Sequence, residues 1–445
     1  MSKTIKISKG ATIKISGQAQ PSSEALQSDT YVIKPTDFHG LRAKLLVKPG
    51  DEVKAGSPLF YDKDHEQIKF TSPVSGEIAE INRGEKRVLL EIKILADKEV
   101  KYESFNVSTD SRESVLEGIL ESGLWPNIRQ RPYDVIADPA TEPKAIHISC
   151  FDSSPLAADF GYVVDGKSAE FQKGVEALGK LTNGKVHLNV PASGASSVFT
   201  STKGAQINKV SGPHPAGNVG VQIHHIDPIN KGDKVWTLDV QAVVQIGTLF
   251  LKGIYDSSKV VALAGPHATK PQYFSTRVGS SVKNMLAGNL VEAKSRIISG
   301  SIFTGTQIAE DGYIGFYDST VIAIEEGDSP EFLGWLNPGL TRKAHSRAYL
   351  GWLSPLKKAE LNTNNHGEER AFVVTGQYEK VFPMKIFPVQ LIKSIMVEDI
   401  ERMENLGIYE VAPEDFGLCE YVCTSKMNLQ KIVRGGLDLM KQEVG

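Results

Sequence analysis

Apolar and polar residues alternate from the first turn of the chain: "IKIS" at Ile5 to Ser8 returns at Ile13 to Ser16, joined by Lys9-Gly10-Ala11-Thr12. A period of two puts Ile5, Ile7, Ile13 and Ile15 on one face, which predicts a β-hairpin. The stretch "GQAQPSSEALQSD" after it is poor in apolar residues and predicts a connector. From about Tyr31 to Leu95, short alternating strands are punctuated by Gly50-Asp51, Ser72-Pro73 and Ser75-Gly76, the pattern of a small β-sandwich. Its core stretch, "KPGDEVKAGSPLFYDKDHEQIKFTSPVSGEI", has the look of a biotinyl or lipoyl carrier, with Lys63 where an acceptor would stand. An acceptor needs the tip of a tight hairpin, whereas the loop Asp62 to Gln67 is too long and polar for a two-residue turn. An unmodified barrel-sandwich scaffold is therefore expected.

The period then changes to that of helices. "DSRESVLEGILESG" offers a cap near Asp110 and an apolar stripe at Val115, Leu116, Ile119 and Leu120, ending at Gly123 and Trp125-Pro126. A strand in "KAIHISCF", a helix in "SAEFQKGVEALGKLT" with Phe171, Val175 and Leu178 at helical spacing, and a strand in "KVHLNV" make a parallel βαβ unit, Rossmann-like in outline. From Val260, "VVALAG", "QYFSTRVG", a short helix around "SVKNMLAG" and "RIISGSIF" suit a β-grasp or similar α+β module. Beyond Glu331 the pattern is mixed and ends helical, in "VQLIKSIMVEDIERMENLG" closed by Gly407 and in "LQKIVRGGLDLMKQE". The expected fold is multidomain, α/β plus α+β. Its units are a barrel-sandwich hybrid with its leading hairpin (1–100), a Rossmann-like domain (101–255), a β-grasp module (256–330) and a mixed, largely helical region (331–445).

Length and composition narrow the function classes. A chain of 445 residues exceeds one ordinary core. Lys and Arg number 50 against 53 Asp and Glu, so there is no global field to attract nucleic acid. Three cysteines make no disulfide framework, which suits a reducing compartment. The start has no apolar signal core, so export is not expected. The most apolar window, Val240 to Leu251, holds two Gln and falls well short of the roughly 20 residues that span a bilayer.

Candidate chemistry is sparse. No G-x-G-x-x-G joins a strand to a helix, and "SGASSVFTSTKG" at Ser193 to Gly204 has neither that spacing nor a P-loop Lys-Ser/Thr pair, so it reads as a plain loop. Cys419 and Cys423 share a helical face, but two thiols fall short of the four ligands of a closed site, and buried inert thiols are the better reading. His214, His224 and His225 cluster in "GPHPAGNVGVQIHHIDP"; in an extended segment the adjacent pair points to opposite faces and does not chelate one ion. Trp335, Tyr349 and Trp352 interleave with Arg342, Lys343, Arg347, Lys357 and Lys358. That composition fits either a partner- or membrane-facing surface, with Trp335, Arg342, Arg347 and Trp352 as its contacts, or a solvated basic face.

Several long stretches in order, "FHGLRAKLLVKPGDEVKAGSPLF", "KFTSPVSGEIAEINRGEKR", "SGPHPAGNVGVQIHHIDP", "GQYEKVFPMKIFP" and "EDFGLCEYVCTSK", resemble the A subunits of Na+-translocating NADH:quinone reductases, the sodium pumps of bacterial respiratory chains. The resemblance implies a peripheral subunit on the cytoplasmic side of the inner membrane, docked on integral membrane and flavoprotein subunits. It also implies an SLBB-like character for the β-grasp module. NADH, flavins, iron-sulfur and ubiquinone belong to the complex as a whole, and ubiquinone is a possible partner of this chain. Relatives in complex I and the Rnf complex hold flavin or nucleotide in a Gly-rich loop after the first helix. Here "SGLWPNIRQRPYD" puts Leu124, Trp125, Pro126 and Ile128 where close backbone approach needs glycine. The Cys motifs of the Rnf relative are reduced to Cys419 and Cys423. The expectation is a subunit with no tightly bound redox cofactor, no metal site and no catalytic residue of its own. A quinone headgroup needs donors and an apolar wall, which makes Phe38 and His39 of "TDFHG", and His214, the candidate quinone or partner contacts. The competing class is a free-standing carrier using Lys63, or a flavoprotein.

Overall fold

The computed structural model describes residues 2–328, 332–339, 349–353, 358 and 360–445. The leading hairpin is not formed. Thr4–Lys6 instead lies parallel to Gln206–Ser211, with Ile5 opposite Val210, at the edge of a seven-stranded sheet. Ile5 and Ile7 pack under the C-terminal helices, while Ile15 joins Ile298, Ile322 and Ile324 in a separate cluster. The physical reason is the edge itself: a lone hairpin is marginal in water, whereas an open sheet edge satisfies the backbone and buries the isoleucines deeper. Gly10 fixes the departure, because a Cβ there would sit 2.1 Å from the His214 carbonyl oxygen. The predicted polar connector is also a strand, Gln20–Ala25, parallel to Gln272–Arg277 at the edge of another sheet.

The sandwich consists of a four-stranded sheet, Thr30–Ile33, Leu89–Ala96, Gly76–Arg83 and Glu52–Val53, facing a three-stranded one, Ala43–Leu45, Pro58–Asp62 and Lys69–Thr71. Leu59, Phe60, Ile68, Phe70, Ile78, Ile92 and Ile94 fill the space between. The Lys63 loop is tied down: its amide donates to the Arg42 carbonyl at 2.9 Å, and Arg42 pairs with Asp64 at 2.7 Å.

In the seven-stranded sheet, Ala145–Ser149 is flanked by Lys185–Pro191 on one side and Val235–Leu238 on the other, all parallel. The strand order reverses between Ala145–Ser149 and Val235–Leu238, the position where open α/β sheets have their crevice. Helices Ser168–Gly179 and Val240–Lys252 cross so closely that a Cβ on Gly174 would meet the Val243 carbonyl at 2.1 Å. His224 and His225 lie not in an extended segment but on the helix Val219–Ile226, whose period is hidden in the sequence by a glycine-rich lead-in, and the Ser193 to Gly204 stretch is not a plain loop but carries a short helix, Ser197–Thr200.

The third sheet has six strands in the order Thr306–Ile308, Ser295–Ser299, Thr320–Glu325, Ser258–Ala264, Gln272–Arg277 and Gln20–Ala25. Met285 and Leu286 of the helix Lys283–Leu286 pack on Val261, Leu263, Phe274 and Val321. From Tyr378 onward the described chain is mainly helical. "VQLIKSIMVEDIERMENLG" forms two helices, Pro388–Met396 and Ile400–Asn405, because Asp399 caps the second by accepting the Arg402 amide at 3.0 Å. With Gly417–Val422 and Leu429–Glu443 they cover the side of the α/β domain that carries Val221, Ile223 and Ile226.

Candidate functional site

Two of the cavities among the described residues are open to a ligand. The larger, about 390 Å³, lies between the helix Val240–Lys252 and the strands Ser258–Ala264 and Gln272–Arg277. Much of its polar lining is engaged by the fold: Gln241 bonds both ways to the Val260 backbone, Gln245 donates to the Ser258 carbonyl, and Arg277 holds Tyr102, Ser257 and Asp256, while the buried Thr276 hydroxyl has no hydrogen-bond partner.

The smaller cavity, about 290 Å³, is walled by Ile13, Ile15, Ile298, Ile302, Phe303, Ile324, Leu361 and Tyr421, with Arg296, Gln307, Asn362 and Thr363 on its polar side. An apolar wall with a few convergent polar groups is the usual make-up of a small-molecule site. Four parts of the chain build it: the N-terminal segment, the grasp sheet, the stretch after Glu326 and the helix Gly417–Val422. Arg296 grips Glu326 through Nε at 3.0 Å and Nη2 at 2.7 Å, and Thr363 donates to the same carboxylate at 2.7 Å. The hydrogen bonds from Arg296 and Thr363 hold the Glu326 carboxyl below the usual carboxylate range, so that side of the cavity stays an ion pair. Burial pushes the Tyr421 phenol up, and its hydroxyl stays protonated.

His214 stands one ring behind this cavity. Its imidazole stacks on Phe303 with centroids 5.0 Å apart, and Phe303 meets Tyr421 edge-on at 5.8 Å. Ser153 Oγ accepts the Gly217 amide at 2.8 Å and lies 3.1 Å from His214 Nδ1, so its proton is free to point at Nδ1 and leave the imidazole proton on Nε2. Burial depresses the His214 pKa to about 4 against the opposing charge of Asp152, so the ring is neutral at physiological pH.

The three sequence-derived contacts do not converge. Phe38 is buried against Phe70, Phe316 and Tyr317 at 4.6, 4.8 and 5.9 Å, while its neighbour His39 turns outward to Asp438 at 2.7 Å. Of the three, only His214 lies beside either of these two cavities. Phe303 and Tyr421 were missed: Phe303 ends a segment that reads as strand, and Tyr421 is hidden between Cys419 and Cys423. Trp335 falls in the 3-10 turn Gly334–Leu336 and Trp352 in the turn Leu350–Leu353; Arg342 and Arg347 lie outside the described residues.

His224 donates from Nδ1 to Glu410 at 2.7 Å and accepts the Lys385 amide at Nε2, while His225 donates to the Pro383 carbonyl. Both rings are thus structural ties to the C-terminal region. Cys419 and Cys423 are buried; burial drives the Cys419 thiol far up, and the Tyr378 hydroxyl donates to Cys423 Sγ at 2.8 Å. Among the described residues no group of three or more His, Cys, Asp and Glu is placed to hold a metal ion, and no helix is long and apolar enough to cross a membrane.

Residues 5–97 match the family described as the NqrA N-terminal barrel-sandwich hybrid domain, residues 110–255 the NqrA second alpha/beta domain, and residues 260–310 the NQRA C-terminal domain. Among curated proteins, the chain is similar to the A subunits of the Na(+)-translocating NADH-quinone reductases of Yersinia pestis bv. Antiqua and of Hahella chejuensis, each 37% identical over 446 residues, and of Saccharophagus degradans, 38% identical over 448. In each case the match covers 99% of this chain and 100% of the relative. The chain therefore belongs to the family of Na(+)-translocating NADH-quinone reductase A subunits.

Proposed function

We propose that the chain is a peripheral subunit, on the cytoplasmic side of a bacterial inner membrane, of a sodium-pumping NADH:ubiquinone oxidoreductase. It docks there on integral membrane and flavoprotein subunits, and it has no tightly bound redox cofactor of its own. The observation that carries this reading is similarity over the whole length to proteins that bear that name. The loop after the first helix of the α/β domain supports the absence of a flavin: Leu124, Trp125 and Ile128 are fully buried, so side chains occupy the ground that glycines would leave to a nucleotide. NADH, flavins, iron-sulfur and ubiquinone act at the level of the complex.

Within that complex, the cavity beside His214 is the quinone contact. A benzoquinone ring has two acceptor carbonyls and two flat faces. Phe303 and the isoleucines supply the wall, and the protonated Tyr421 hydroxyl supplies a donor. Neutral His214 fixes the Phe303 ring by stacking. At about 290 Å³ the cavity suits a headgroup without its isoprenoid tail. Phe38 and His39 are read as junction residues instead.

Capture of the tagged chain from mildly solubilised native membranes tests the placement in such a complex. Integral membrane proteins and an NADH-oxidising flavoprotein are expected with it, and recovery alone from the soluble fraction would sink it. The quinone contact is tested separately in the assembled complex. Phe303→Ala and Tyr421→Phe are expected to raise KM for ubiquinone about tenfold, the size of one lost contact of roughly 1.4 kcal/mol, while NADH oxidation by an artificial acceptor is unchanged. An unaltered KM removes the cavity from the quinone path and leaves the chain's place in the pump standing.

A further inference from the structure

One seven-residue pattern occurs twice after the grasp module. Phe332-Leu333-Gly334-Trp335-Leu336-Asn337-Pro338 and Tyr349-Leu350-Gly351-Trp352-Leu353-Ser354-Pro355 both read aromatic, Leu, Gly, Trp, Leu, amide or hydroxyl, Pro. Each copy contains a 3-10 turn, Gly334–Leu336 and Leu350–Leu353. Both turns present apolar side chains to solvent: Phe332 is 94% exposed, Leu336 59% and Leu353 57%, with Leu333 and Leu350 more than two-fifths exposed. Large apolar residues this exposed and this close in sequence mark an interaction surface.

Charge says what kind. From Phe332 to Lys358 the sequence holds Arg342, Lys343, Arg347, Lys357 and Lys358 and not one Asp or Glu, in a chain whose overall balance is 50 basic to 53 acidic residues. The complementary surface is anionic. Repetition says more. A groove on a protein partner is a unique shape, and two segments docking in it would read two different sequences. A lipid surface is laterally uniform and takes the same motif twice. Trp and Tyr settle at the headgroup level, Leu and Phe enter the acyl boundary, and Lys and Arg meet anionic headgroups. One such element binds weakly, and stable attachment takes two.

We infer that the two turns form a paired membrane anchor, dipping Phe332, Leu333, Leu336, Leu350 and Leu353 into the interfacial layer of an anionic bilayer. The anchor goes beyond the reading above and is independent of it, since a subunit held solely by protein partners would serve the same complex.

The test uses the purified full chain and phosphatidylcholine vesicles with and without phosphatidylglycerol. Trp125 and Trp236 are fully buried and Trp352 is 46% exposed, so a blue shift of tryptophan fluorescence on adding vesicles reports Trp352 of the second turn. The expected result is a blue shift and co-sedimentation with the anionic vesicles only, weakening as salt is raised. A Phe332→Ser, Leu336→Ser, Leu350→Ser, Leu353→Ser variant changes solvent-exposed positions and is expected to keep the wild-type melting temperature while binding these vesicles weaker by on the order of tenfold or more. No binding to either vesicle, equal binding to the neutral one, or a variant that binds like wild type overturns the anchor. So does a variant that loses co-purification with membrane subunits when the wild-type chain ignores vesicles, since the turns would then be a protein interface.

Discussion

Around Phe38, the sandwich, the α/β domain and the grasp module meet through rings; around Arg131, the α/β domain meets the C-terminal helices through charge. At the first junction Phe38 touches Phe70, Phe316 and Tyr317, and the Tyr317 hydroxyl donates to the Pro126 carbonyl at 2.7 Å. At the second, Arg131 pairs with Asp415 and Glu414, and Asp134 with Arg129 and Arg434, three cations against three carboxyl groups, of which burial pushes that of Glu414 up to about 7. Burial opposes the Arg131 charge, yet Asp415 and Glu414 outweigh it and keep the guanidinium protonated. The difference is one of tolerance. Burial of rings is non-directional and loses energy roughly in proportion to the area removed, with the preferred ring geometry adding a smaller share. The buried Arg131–Asp415 pair at the centre of the charge network is all-or-none, because either ion left alone has neither water nor partner.

The sharpest break of that contrast is therefore at Arg131. Arg131→Ala is expected to cost about 3–5 kcal/mol in urea unfolding of the full chain, and Arg131→Lys nearly as much, because an ammonium cannot reach two carboxylates in the guanidinium's plane. Joint replacement, Arg131→Met with Asp415→Leu, is expected to recover only part of the loss, because Glu414 and the Ala412 amide, which donates to Asp415 at 2.9 Å, lose their partners. A cheap Arg131→Lys would mean the network is better hydrated than its 2% and 0% side-chain exposures suggest. Next in size, Phe38→Ala is expected to cost about 3 kcal/mol, but Phe38→Leu only about 1, the graded response of a packed ring. If Leu cost as much as Ala, the ring geometry and not the buried area would carry that junction.

What the sequence made legible follows the same division between local and distant causes. The helix Arg112–Glu121 was readable because its signals are local: Ser111 accepts the Ser114 amide, and Val115 and Ile119 are fully buried on one stripe. The strand Gln20–Ala25 was not, since all six of its side chains are exposed and only backbone pairing with Gln272–Arg277 defines it. Thr4–Lys6 carried a correct alternation and a wrong partner, because the choice between a nearby strand and one two hundred positions away is made by tertiary burial. The cavity was legible only at His214. Phe303 and Tyr421 come from elements far apart in sequence, and each alone looks like ordinary core.

The ring junction also contains one charge that should respond to pH. Burial raises the Asp37 pKa from 3.8 to about 6, against the pull of the Phe316 amide, which donates to its Oδ2 at 2.8 Å. The folded state thus holds this proton more tightly than the unfolded one. Its contribution to stability is complete below the unfolded pKa of 3.8, declines as pH rises through about 6, and is absent above. Asp37→Asn is expected to remove that decline, raising stability at neutral pH by on the order of 1–2 kcal/mol, since part of the carboxylate keeps its water. Melting temperatures of both proteins across that window check it, and parallel curves would place the ionised carboxylate in a more hydrated site.

The smallest effect is expected where the two kinds of junction come closest. His39 follows Phe38 in the chain, yet it points to Asp438 on the same helix as Arg434, so it ties the sandwich to the C-terminal helices at the rim of the charge cluster. Its side chain is 43% exposed and that of Asp438 48%, so water already solvates both and competes for the contact. His39→Ala is accordingly expected to cost about 0–0.5 kcal/mol, less again at high salt. A loss approaching that of Phe38→Ala would mean that His39 couples the two junctions into one cooperative unit. The double variant Phe38→Ala, His39→Ala decides between these, because independent junctions add and a coupled one does not.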